Sequence, residues 1–81
     1  MIFGKLFGKD EFKKYDDIFS GAVKMGQSVD NAFRQSFAAA IADKKFASQN
    51  EAVAALGARL SEKCLPENKA ELKKAIDRYT D

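Results

Sequence analysis

The stretch Ser48–Cys64, SQNEAVAALGARLSEKC, decides the fold. It opens with Ser48 and Glu51 in the S-x-x-E spacing of a helix capping box, in which the hydroxyl accepts an orphan backbone N–H of the first turn. Val53, Leu56, Leu60 and Cys64 follow at intervals of three and four and so share one helical face. Gly57 lies on that face. A glycine inside a helix costs about 1 kcal/mol relative to alanine, and the close approach of a neighbouring helix would explain it. The spacing predicts a helix over Gln49–Cys64 packed tightly on a partner.

The same period extends in both directions. Downstream, Pro66 suits a first helical position, and Leu72, Ala75, Ile76 and Tyr79 form a stripe, predicting a helix over Pro66–Tyr79. Upstream, Ser28 caps a helix expected over Val29–Phe46, with Asp30 in its first turn, where the helix dipole favours an acid. Its face is Val29, Phe33, Phe37, Ala40 and Ile41. A further helix is expected over Asp10–Met25, capped by Asp10, closed by Gly26, and apolar along Phe12, Tyr15, Phe19, Ala22 and Val23. The connections around Gly26–Ser28, Ala47–Asn50 and Leu65–Asn68 are short, which makes consecutive helices antiparallel neighbours. Alternating β-branched runs and Asn-Gly or Asp-Gly turns do not occur in the sequence. The expected fold is all-α: a compact bundle of four short amphipathic helices with an apolar N-terminal arm. Residues 1–9 form the arm and residues 10–81 a single helical domain.

Composition agrees with one small globular unit. The chain has 81 residues, 46% hydrophobic and 32% charged, unlike the low hydrophobicity and high net charge of disordered segments. A core of this size nets about 3–5 kcal/mol, so self-association or stabilisation by a partner is in character. Fourteen basic against twelve acidic residues leave a net charge of +2, too balanced for a dedicated nucleic-acid binder. A helix-turn-helix starting at Gln49 fails as well, because Ala58–Cys64 continues the first helix and Pro66 falls where a recognition helix would need its middle. No signal-peptide pattern follows Met1. A cytoplasmic location is the expectation, with a position peripheral to the membrane as the alternative.

Most chemistry lacks its residues. The sequence has no histidine and one cysteine, too few for a histidine- or cysteine-rich zinc centre. Ser20, Ser28, Ser36, Ser48 and Ser61 have no histidine to activate them. Cys64 ends an apolar stripe and is expected as a buried structural thiol. Asp16 and Asp17 are expected on a solvated outer face, paired with Lys13 or Lys14. The reading is a non-enzyme that needs no cofactor and no metal.

The arm, MIFGKLFGK over Met1–Lys9, does not fit the bundle pattern. Continued as one straight helix into the next segment, Phe3, Leu6 and Phe7 would point nearly opposite to Phe12, Tyr15 and Phe19 at about 100° per residue. Either the chain breaks near Gly8 or the arm's aromatics face away from the bundle. One reading folds the arm back as a cap on an open end. The sharper reading makes Ile2, Phe3, Leu6 and Phe7 the contacts to a protein partner, since two phenylalanines and a leucine at helical spacing suit a groove. In the alternative, the same side chains enter a membrane surface while Lys5, Lys9 and Lys13 meet anionic lipid.

Overall fold

The computed structural model of the protein describes residues 11–80. Among them are four helices: α1 (Lys13–Lys24), α2 (Val29–Ala42), α3 (Gln49–Lys63) and α4 (Pro66–Tyr79), with no strand. The architecture is the expected all-α bundle. The arm lies outside the described residues, as does Asp10, the expected cap of α1. Phe12 occupies that N-cap position without a side-chain cap.

The other starts follow the local chemistry. The Ser28 hydroxyl accepts the Asn31 backbone N–H at 3.1 Å, and the Ser48 hydroxyl accepts that of Glu51 at 3.2 Å. Leu65, preceding proline, is extended, and Pro66 begins α4. At the other end of α1, Gly26 takes a positive φ of 92°. The N–H groups of Gly26 and Gln27 donate back to the carbonyls of Val23 and Ala22, each at 3.0 Å, a Schellman closure.

α2 ends at Ala42, four residues short of the expected Phe46. The same closure occurs there without a glycine. Lys44 adopts φ 60°, and the N–H groups of Lys44 and Lys45 donate to Ile41 and Ala40 at 2.9 and 3.0 Å. Phe46, released from the helix, stacks on Phe12 with ring centroids 5.6 Å apart.

α2 is the central element: α1, α3 and α4 all pack against it, and α3 also packs against α4. Its stripe of Val29, Phe33, Phe37 and Ala40 is buried as expected, and Ala32 and Ser36 widen it. These two small residues bury a second flank of the helix. Ser36 donates its hydroxyl to the Tyr15 carbonyl of α1 at 3.0 Å, so a buried polar group is satisfied across the helix pair. Phe37 contacts Phe33 at 5.2 Å and Tyr79 of α4 at 5.1 Å between centroids, in the tilted geometries favoured by aromatic pairs. Tyr15, Phe19, Ala22, Ala52, Val53, Leu56, Leu60, Leu72 and Ala75 complete the core, while Phe12, Val23, Ile41, Cys64, Ile76 and Tyr79 are among those half-buried at its edge. Gly57 marks a close helix approach, as its position implied. A Cβ there would lie 2.8 Å from both Cγ1 and Cδ1 of Ile76 on α4.

Candidate functional site

α1 packs chiefly on α2, and long side chains tie it to α3. The bridge is centred on Asp16, expected on the solvated face but in fact buried. Arg59 of α3 grips both of its carboxylate oxygens, Nε to Oδ1 and Nη2 to Oδ2, each at 2.8 Å. The Lys63 ammonium adds a third bond to Oδ2 at 3.0 Å. Burial pushes the Asp16 carboxyl up, but the hydrogen bonds and charges of Arg59 and Lys63 outweigh it and hold the group below the ordinary aspartate range. The Arg59 guanidinium also lies 5.9 Å from the centre of the Phe12 ring, within cation–π range. Asp17 behaves as expected and pairs with Lys13 at 3.1 Å in solvent, whereas Lys14 reaches Asp43 at 2.8 Å.

A surface groove follows from this bridged rather than interlocked contact. It consists of two adjoining depressions of about 280 Å³ each, which share Phe19, Ser20, Lys63 and Cys64. One extends toward Lys13, Asp16, Asp17 and Leu60. The other extends toward Val23, Lys24, Leu65 and Asn68, at the corner where α3 turns into α4. Its apolar surface comes from Phe19 and Val23 on one side and Leu60, Cys64 and Leu65 on the other. Leu65 is 57% exposed, held out by the extended residue pair before Pro66. Cys64, expected as a buried structural thiol, is a half-buried free thiol lining both depressions.

Of the side chains assigned to a site from sequence, Ile2, Phe3, Leu6, Phe7, Lys5 and Lys9 lie outside the described residues. Lys13 is described. It sits at the groove's edge in the first turn of α1, its ammonium held by Asp17. The groove itself was not assigned from sequence. The one visible signal was Leu65, an apolar residue in an inter-helix link before proline, too short a feature to define a surface. Among the described residues no three histidine, cysteine or acidic side chains converge as a metal site, and no helix is long and apolar enough to cross a membrane. Comparison of the chain with protein-family models, curated proteins and solved structures finds no match.

Proposed function

We propose that the chain is a non-enzymatic, cytoplasmic protein-binding module, an adaptor, inhibitor or assembly subunit that contacts its partner through the apolar arm. The observation that supports this reading is the open apolar groove beside α1, with Leu65 exposed at its corner. A concave apolar surface of this kind is a common docking feature. In the sequence the arm precedes α1, whose side chains line one wall of the groove.

The test uses the intact chain beside a version lacking residues 1–9 and a Phe3→Ser/Leu6→Ser/Phe7→Ser variant. Capture of a partner by the intact chain, lost in both altered forms while helical circular dichroism and melting persist, is the expected result. Loss of the fold in the triple variant would make the arm part of the core and end the proposal. The alternative, a peripheral membrane module, uses the same arm with Lys5, Lys9 and Lys13. The Lys13–Asp17 pair reduces what Lys13 offers an anionic headgroup. Arm-dependent co-sedimentation with anionic vesicles, without protein capture, would favour that alternative. Binding to nucleic acid that collapses with added salt would replace both readings.

A further inference from the structure

We infer that α1 is a detachable strap. It leaves the bundle and unwinds as one unit, hinged at residues 25–28, while α2, α3 and α4 stay folded together, and the Asp16–Arg59–Lys63 bridge is the clasp that holds it shut. The inference does not rest on the protein-binding reading.

Three observations carry it. The first is topological. α2, α3 and α4 each pack on both of the others, so the three close on themselves, whereas α1 packs chiefly on α2. The core divides the same way. Of the fourteen buried hydrophobic residues among the described ones, Tyr15, Phe19 and Ala22 come from α1 and the other eleven from α2, α3 and α4. Release of α1 therefore leaves a three-helix unit with most of its own contacts.

The second is the nature of the ties. Toward α3, α1 is held by the carboxylate of Asp16 on Arg59 and Lys63. At its start, Lys14 and the Tyr15 hydroxyl donate to Asp43. Paired ions regain hydration when they part, so separating them costs less than their attraction alone implies.

The third is the hinge. Gly26 holds a φ of 92°, a Cβ there would meet nothing within 4 Å, and neighbouring Met25 is 80% exposed. These two residues can change their dihedrals without disturbing the core. Beyond them, the Gln27 side chain bonds Asn31 and Gln35 and so stays with α2. A helix of 12 residues is marginal alone in water, so α1 unwinds once released. Residues 1–9 precede α1 in the sequence, so a ligand that binds them differently in the two forms shifts the equilibrium.

Native-state hydrogen exchange of the intact chain, followed in rising sub-denaturing urea, tests this. The amides of Phe19 and Ala22 should exchange at least about tenfold faster than those of Leu56 and Leu72, after correction for intrinsic rates. Their dependence on urea should be shallower, because opening exposes less surface than global unfolding. Asp16→Asn should speed exchange at Phe19 and Ala22 about tenfold. Ile76→Val removes Cδ1, which packs on Gly57 in a contact that persists when α1 opens. It should speed exchange at Leu56 and Leu72 several-fold and leave Phe19 and Ala22 unchanged. Equal rates and urea slopes in the parent, or Ile76→Val speeding all four amides alike, would make the bundle one cooperative unit and overturn the inference. Unchanged exchange at Phe19 and Ala22 in Asp16→Asn would remove the clasp and overturn it too. The parent profile and Ile76→Val decide the question should Asp16→Asn fail to fold. None of these outcomes bears on capture of a partner by the arm.

Discussion

Asp16 is the residue whose environment departs most from what its neighbours in sequence imply. Next to Asp17 and after two lysines it looks like one member of a solvated charge cluster, yet α1 turns it inward against Arg59 and Lys63. Because its folded carboxyl titrates below the value near 4 expected for the unfolded chain, its stabilising contribution is complete above that value. It is lost as pH falls through the lower, folded one. Asp16→Asn should cost about 1–3 kcal/mol at neutral pH, since it leaves two cations short of their counter-charge. It should also flatten the fall of the melting temperature as the pH drops below the ordinary aspartate range; an equally steep acid transition in the variant would remove Asp16 from the account. Tyr15 provides the alkaline counterpart. Burial, then the 2.6 Å hydrogen bond it donates to Asp43, raise its phenol from 10.0 to about 12. Its contribution is complete below pH 10 and is lost as pH rises toward 12. In a Tyr79→Phe variant, where Tyr15 is the one remaining tyrosine, tyrosinate absorbance should appear about two units above the ordinary value. Titration near 10 would contradict its burial.

At the scale of the element, three helix starts were legible; the start of α1, expected at Asp10, falls at Lys13 behind Phe12, and the end of α2 was not legible either. Ser28, Ser48 and Pro66 act through hydrogen bonds and backbone angles within four residues of themselves, so their roles follow from local sequence. Gly26 closes α1 for the same reason, since glycine accepts a positive φ without steric cost. Lys44 closes α2 in the same geometry, although lysine has no preference for it; placing Phe46 against Phe12 is a tertiary gain that local propensity does not contain. Lys44→Gly should therefore raise stability by about 0.5–1 kcal/mol in denaturant titration, and a loss of stability would show that the left-handed residue is not strained. Gly57 could be read as a contact from sequence, but its partner could not. With Ile76 atoms 2.8 Å from where a Cβ on residue 57 would lie, Gly57→Leu should cost about 1–3 kcal/mol by overpacking. The cost should shrink in an Ile76→Ala background, as a double-mutant cycle would reveal; strict additivity would separate the two residues.

For the whole molecule, the decisive feature is that one helix touches all the others. Phe33 on α2 is fully buried and lies near both Phe37 and Tyr79. Truncating such a side chain typically costs 3–5 kcal/mol, as much as the roughly 3–5 kcal/mol expected for a core of this size. Phe33→Ala should therefore unfold the described helices together, with most helical circular dichroism lost at room temperature. Retention of most helicity with a single cooperative melt would show that the molecule does not depend on α2 as a hub. The groove belongs to this scale as well: it lies where α1 packs chiefly on α2 and the Asp16 bridge ties it to α3.

The number and order of the helices, the capping serines, the buried stripes and the tight approach at Gly57 were determined by sequence alone, because each depends on spacing within one or two turns. The inward turn of Asp16, the closure at Lys44, the pairing of Gly57 with Ile76 and the groove between α1 and α3 were decided by tertiary structure. Each of these joins residues far apart in the chain, and no local period records which helix faces another or how much space is left between them.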